Sequence, residues 1–140
     1  MDYLEVEGER EFVARLAHGE DWRAQIEAFT AEEGIGSAFF VGLGAVQDAE
    51  VLYYDQNDHE YRPETFDEPL EVAACTGNVS ELDGEPFAHT HAVLSRADGS
   101  TVAGHLDSAT TFAGELYVRE FDARLEREHD DMTDLDLWPL

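Results

Sequence analysis

The chain has 140 residues, 43% of them hydrophobic and 11% aromatic, which is enough for one domain with a sizeable core. Its formal net charge is −25, because 33 acidic residues stand against eight arginines and no lysine. Nucleic-acid binding depends on lysine and arginine, so this composition argues against a generally DNA-binding surface. The acidic residues are interleaved with apolar ones, which indicates a solvated surface over an ordinary core.

The remaining compositional features concern the cell compartment. The lone Cys75 has no partner for an internal disulfide, and the sequence shows neither a basic-plus-apolar leader nor an apolar run of about 18 residues. We therefore expect a cytoplasmic protein with no membrane partner. The charge resembles that of proteins from salt-loving archaea, in which a Debye length of roughly 3 Å at about 1 M salt screens such repulsion.

The first predicted elements are a strand and a helix. Residues Arg10 to Leu16 alternate between polar and apolar side chains, which favours a strand. After a turn, Trp22, Ile26 and Phe29 recur at three- and four-residue spacing, which predicts a helix with a core-facing stripe. Gly34 is placed to cap the end of this helix.

Beyond Gly34 the pattern changes to a period of two or to continuous apolar runs, and turn residues separate the segments. The predicted strands lie in SAFFVGLGAV, DAEVLYYD, HEYRPETF, PLEVAACTGNVS, PFAHTHAVL, TVAGHL and GELYVREF. One helix near the start of a mostly antiparallel set of strands predicts an α+β domain, in which the helix packs on one face of a sheet or partial barrel.

The last segment of the chain is set apart by its composition. Residues 1–121 are predicted to form the domain, and residues 122–140 an acidic C-terminal tail with an apolar end. The tail ends in four large apolar side chains: Leu135, Leu137, Trp138 and Leu140. Such groups are hard to leave in water, so we expect the tail to dock onto the domain or onto a neighbouring subunit.

Two histidines one residue apart, His89 and His91, lie in the predicted strand AHTHAVL. On a strand such residues point to the same face, with Cβ atoms about 7 Å apart. A hairpin with the three-residue loop Ala97-Asp98-Gly99 places His105 opposite His91, and Asp107 opposite His89. A loop one residue longer or shorter would send His105 to the other face.

Three neutral imidazoles on one face form a nitrogen site that suits zinc best, while nickel, copper or iron also fit. A fourth position is left for water or a carboxylate, and Asp107 and Glu115 are the nearest candidates for a fourth ligand or for a hydrogen-bond partner of an imidazole. The alternative is an ordinary hydrogen-bonded or partly exposed histidine pair. His18, His59 and His129 lie in loop-like or tail segments and are expected at the surface.

Three segments resemble the plants-and-prokaryotes conserved (PPC) domain, which is sometimes described as a DNA-binding domain: GIGSAFFVGLGAVQDAEVLYYD, FDEPLEVAACTGNVSELD and GEPFAHTHAVLSRADGSTVAGHL. The likeness runs from about Arg10 to Phe121, and H-x-H followed by G-H-L is its most specific feature. It implies an α+β sheet with a packed helix, a homotrimer, and a metal site at His89, His91 and His105.

The DNA aspect of this resemblance has less support in the sequence. Plant members carry a separate basic AT-hook, and this chain has no arginine-glycine-proline segment of that kind. The arginine cluster Arg119, Arg124 and Arg127 is interspersed with acidic residues, so we expect no direct DNA binding.

Three functions remain open at this point. They are a trimeric metal-binding protein of unknown role, a regulatory module associated with DNA directly or through partners, and a metal-dependent small-molecule hydrolase or ligand-binding protein. No nucleophile and base are legible in the sequence, so it leaves open whether the protein is an enzyme.

Overall fold

One helix and ten strands make up the computed structural model, which describes all 140 residues. The helix is α1 (Trp22–Glu33). The strands are β1 (Gly8–Leu16), β2 (Ala38–Val46), β3 (Ala49–Asp55), β4 (Glu60–Phe66), β5 (Leu70–Leu82), β6 (Glu85–Ser95), β7 (Thr101–Ser108), β8 (Thr111–Phe121), β9 (Glu128–Asp130) and β10 (Leu135–Leu137).

The first eight strands form one antiparallel sheet in the order β1-β8-β2-β5-β6-β7-β3-β4. Strands β1 and β4 lie at the two edges and do not pair with each other, so the sheet is open rather than a closed barrel. The predicted α+β fold with one helix on a mostly antiparallel sheet is confirmed, in its open form.

The helix begins and ends where the sequence predicts. Asp21 is its N-cap, and its carboxylate accepts a 2.8 Å hydrogen bond from the Ala24 backbone N–H. Gly34 ends it in the left-handed conformation, at φ 69°. Trp22 and Ile26 are fully buried against the sheet. At twelve residues, this helix is too short and too polar to cross a membrane.

The hairpin between β6 and β7 has the predicted three-residue loop. The Arg96 N–H donates to the Ser100 carbonyl at 2.8 Å, and Gly99 adopts φ 84°. His91 pairs with His105 as predicted. The predicted pairing of His89 with Asp107 is wrong, because β6–β7 pairing stops at His91, and β7 beyond that point pairs only with β3.

The C-terminal segment folds back over the domain. Leu125 is buried, its carbonyl accepts from the Glu81 N–H at 2.7 Å, and β9 and β10 form a small antiparallel hairpin. The Tyr54 hydroxyl donates to the Thr133 carbonyl at 2.5 Å, which ties this hairpin to β3. These contacts hold residues of the acidic tail against the domain.

Candidate metal centre

The three predicted histidines lie on adjacent strands and on the same face of the sheet. His89 and His91 project from β6 away from the core, while Thr90 between them is fully buried on the core side. His105 projects from β7 on the outer face, yet only 7% of it is exposed. The face that carries the histidines is therefore covered locally by other parts of the chain.

The imidazoles converge on one point. The Nε2 atoms of His89 and His91 are 3.2 Å apart, and one ring nitrogen from each of the three histidines lies within 4.8 Å of the others. The ring centroid of His105 is 5.1 Å from that of His89 and 5.7 Å from that of His91. A tetrahedral metal with bonds of about 2.0–2.1 Å to nitrogen separates its ligand nitrogens by about 3.3 Å, close to the first of these distances.

One ring nitrogen of this cluster has no hydrogen-bond partner. The Nδ1 atom of His105 is buried and makes no hydrogen bond to the protein. Buried polar atoms are nearly always paired, so an unpaired imidazole nitrogen beside two other imidazoles fits a group that the ring nitrogens would hold. The donor set, three borderline-soft nitrogens, is the kind that zinc and its neighbours in the transition series prefer.

Two of the histidines are held in the form that binds a metal. Burial, with smaller contributions from the nearby His105 and Arg127, lowers the pKa of His89 to about 4. Burial likewise lowers the pKa of His105 to about 4, with smaller contributions from His91 and Arg23 that exceed the opposing effect of Asp107. Both rings are neutral at neutral pH, and only neutral imidazole coordinates a metal.

A cleft of about 360 Å³ lies beside the cluster and shares His89 and His105 with it. Phe87, two residues before His89 on the same face, stacks on that ring at a centroid distance of 6.3 Å. Tyr61 on β4 contacts His105 at a centroid distance of 5.6 Å. Arg23 and Arg127 line the same cleft, so two cations face the histidines.

The two carboxylates proposed from the sequence lie in different places. Asp107 lines the cleft, where its Oδ1 is 3.3 Å from the Arg23 guanidinium. Glu115 lies on β8 opposite Leu43, in a separate groove on the sheet, and β2 and β5 separate its strand from β6. The expectation for Glu115 therefore finds no support in this geometry, while Asp107 stands beside the cluster in an ion pair.

The other three histidines are exposed, as expected: His18, His59 and His129. Four residues of the cleft were not among the site residues expected from the sequence: Phe87, Tyr61, Arg23 and Arg127. Phe87 carried a usable signal, because its period-two spacing from His89 places both on one face. The other three reach the cleft from distant parts of the chain, and no local pattern marks them.

An open antiparallel sheet with one helix, and three converging histidines on its outer face, define a small α+β protein with a candidate metal centre. Residues 3–122 match the Plants and Prokaryotes Conserved domain, so the chain belongs to that family, here abbreviated PPC. The family resemblance seen in the sequence is thereby confirmed.

Several solved structures share the fold over nearly the whole chain. A metal-containing protein from Archaeoglobus fulgidus is 42% identical, with 99% of each chain covered and a TM-score of 0.95. A PPC protein from Pyrococcus horikoshii is 29% identical, covering 100% of this chain and 98% of its own, with a TM-score of 0.94.

A third structure, from Bacteroides thetaiotaomicron, carries the provisional name of a DNA-binding protein. It is 26% identical, covers 95% of this chain and 96% of its own, and has a TM-score of 0.86. A search among curated proteins finds no match.

The lowered pKa values predict how the metal-free protein responds to acid. The unfolded chain protonates these histidines near pH 6.5, whereas folded His105 resists protonation down to about pH 4. The unfolded state therefore binds more protons between these values, and the free energy of unfolding falls as the pH drops from about 6.5 to 4. In the wild type, His105 should account for a loss of about 1–3 kcal/mol in the free energy of unfolding between about pH 6.5 and 4. His105→Gln should abolish this part of the pH dependence.

Urea unfolding of chelator-treated protein at constant high salt measures this difference. Comparing His105→Gln with the wild type at each pH cancels the effect of the many surface carboxylates. Identical pH dependence in the two proteins would contradict the prediction.

Proposed function

We propose that this chain is a stand-alone PPC-domain protein that binds one transition metal, zinc in the first place, through His89, His91 and His105, and that it works as a homotrimer. The observation that carries the proposal is the convergence of three imidazoles, one of which has a buried Nδ1 without a partner. The metal-containing relative from Archaeoglobus fulgidus supports it.

The residues around the centre have distinct roles in this proposal. His89 and His105, held neutral by burial, supply preformed ligands, and His91 completes the set from the exposed side. Tyr61 and Phe87 pack against the His105 and His89 rings on the cleft side and hold their orientation. When bound by these three imidazoles, a metal would supply a Lewis-acid centre. His89 and His105 line a cleft of about 360 Å³, which favours a small-molecule ligand over a purely structural role.

The outer face of the other half of the sheet supports self-association. It exposes large apolar side chains from β1, β2 and β8 around a groove of about 810 Å³: Val13 at 87%, Leu43 at 61%, Val41 at 42% and Tyr117 at 39% exposure. Contiguous apolar surface of this kind marks interaction sites. If copies of this chain associate in a closed ring, each apolar face is buried against a neighbour, and no interface is left exposed at the end of the assembly.

Direct DNA binding is the second candidate, favoured by the provisional names of relatives such as the Bacteroides protein. The arrangement of the arginines opposes it here. Arg119 lies 3.8 Å from Glu11, Arg124 is ion-paired with Glu81, and Arg127 faces the cleft. The three arginines therefore do not form one basic patch: two pair with carboxylates and the third lines the cleft. We propose that any link to DNA runs through partner proteins.

The metal proposal predicts about one transition metal per chain after reconstitution at neutral pH. His91→Ala should release most of it on dialysis, because two remaining imidazoles compete poorly with water. His129→Ala, a change at an exposed histidine outside the cluster, is the matched control and should retain the metal. Elemental analysis of protein made without a histidine tag decides: no metal in the wild type, or full retention in His91→Ala, refutes the assignment.

The trimer proposal predicts a mass of about 47 kDa in solution, three times the 15.7 kDa of one chain. High salt should favour it, because three chains combine a formal charge near −75 that needs screening. Leu43→Asp should dissociate the assembly, whereas Tyr53→Asp, at a residue 68% exposed on β3, should not.

Light scattering in about 2 M salt measures these masses. A wild-type monomer at this salt concentration contradicts the trimer. A trimer that survives Leu43→Asp shows that the chains associate through another surface.

The DNA proposal predicts no saturable binding of duplex DNA at salt concentrations that keep the protein folded. Even if Arg119, Arg124 and Arg127 neutralised three phosphates, log affinity would fall with log salt at a slope of only about −2.7, and the neighbouring carboxylates oppose each contact. Fluorescence anisotropy of a labelled duplex in about 1 M salt tests this. Saturable micromolar binding would overturn it and move direct DNA binding to first place.

A further inference from the structure

The guanidinium of Arg127 is held only by neutral groups. Its Nε donates to the Ser80 hydroxyl at 2.8 Å, one terminal nitrogen donates to the Asn78 side-chain oxygen at 2.7 Å, and the other donates to the Asp136 backbone carbonyl at 2.8 Å. These contacts fix the plane of the group and use three of its five N–H donors. Two N–H groups remain for a partner outside the chain.

The other arginines differ from Arg127 because they either pair with a carboxylate or are exposed to solvent. Six of the eight lie within 4 Å of a carboxylate oxygen: Arg10, Arg23, Arg62, Arg96, Arg119 and Arg124. Arg15 lacks such a partner but is exposed, so water solvates it. Arg127 alone is both partly buried and without a carboxylate in contact. A partly desolvated charge without a counterion is unfavourable. This is notable in a chain with 33 acidic residues, any of which could have supplied a carboxylate partner for Arg127.

The carboxylates nearest to Arg127 do not neutralise it. Burial lowers the pKa of Arg127, and Asp136 offsets only part of that effect. Asp134 and Asp136 are about half exposed, and their oxygens lie 3.4 and 3.6 Å from the ring nitrogens of His129. Solvent therefore screens them, and their contacts are with the His129 ring rather than with Arg127.

Arg127 lies beside the histidines and lines the same cleft. Its Cζ lies 5.2 Å from the centre of the Phe87 ring, and the same ring stacks on His89 at 6.3 Å. Arg127, His89 and His105 all line the 360 Å³ cleft. Arg23 reaches the ring from another side at 5.8 Å, but Glu27 and Asp107 already pair with it.

We propose that the cleft binds a small oxyanion, a carboxylate or a phosphate, between Arg127 and the open coordination position of the three-histidine centre. The inference rests on the proposed metal function and names the ligand class of that same site. An oxyanion presents two or more oxygens, which match the remaining N–H donors of a fixed planar guanidinium and one metal position. The cleft volume lies at the small end of the range for small-molecule sites.

Cobalt(II) in place of zinc gives a direct readout, because its visible absorption responds to a change in its ligands. The cobalt-loaded wild type is titrated with sodium acetate and, separately, with inorganic phosphate at constant high potassium chloride. We expect a saturable spectral change at one anion per metal for at least one of the two. The anion with the stronger response identifies the ligand class.

Arg127→Gln should shift the midpoint of this titration at least about tenfold to higher anion concentration, because one charge-assisted contact is lost. Arg124→Gln is the matched control: it lies on the same segment, is exposed and paired with Glu81, and should leave the midpoint unchanged. Circular dichroism and cobalt content establish that each variant is folded and loaded. If Arg127→Gln does not fold, Arg127→Lys replaces it, since lysine keeps the charge, loses the planar donor pair and should weaken binding several-fold.

The outcomes separate this inference from the function on which it rests. A wild type that loads cobalt but responds to neither anion overturns the inference alone. So does a folded, loaded Arg127 variant with an unchanged midpoint. A wild type that takes up no cobalt overturns the metal function, and the inference with it.

Discussion

The register of the β6–β7 hairpin determines whether this protein has a site at all. Side chains alternate along a strand, so a slip by one residue would turn His105 into the core and leave His91 facing a different neighbour. The three-residue loop prevents the slip: the Arg96–Ser100 hydrogen bond closes it, and Gly99 takes a φ of 84° that other residues rarely adopt. Thr90, fully buried between the two histidines, fixes the same alternation from the core side.

The end of this hairpin pairing creates the cleft. Beyond His91, strand β7 leaves β6, and the helix takes its place along the free edge: Glu27 accepts from the Ala88 backbone N–H at 3.1 Å, and Arg23 pairs with Asp107. Continued pairing of β7 with β6 would have covered this edge with backbone hydrogen bonds. The interruption leaves room beside the histidines, and the C-terminal segment closes that room from the opposite side through Arg127.

Local patterns in the sequence predicted the parts of the site that lie within one hairpin. The period of two placed His89 and His91 on one face, and loop length placed His105 opposite His91. The predicted pairing of Asp107 with His89 was wrong because it assumed that β6 and β7 stay paired beyond His91. The helix contacts β6 at that point instead. Glu115 failed for a topological reason: β8 follows β7 in sequence but inserts between β1 and β2 in the sheet. Turn residues in the sequence mark where strands end, but they do not show which distant strand will be the neighbour in the sheet.

The charge of the chain bears differently on its surface and on its site. At molar salt the Debye length is roughly 3 Å, so exposed pairs such as Arg62 with Asp58 contribute little beyond direct contact. Arg127 is partly buried and held by neutral acceptors, and salt screens groups in such a position much less.

The same distinction holds among the three histidines. His91 is open to solvent, whereas His105 is almost wholly enclosed. Under the proposed function, a metal ion would reach the cluster from the His91 side without unfolding of the domain, and a ligand in the cleft would approach it from the desolvated side. For the proposed oxyanion, salt that relieves the repulsion of 33 acidic residues would thus leave its interaction with Arg127 in the cleft largely intact.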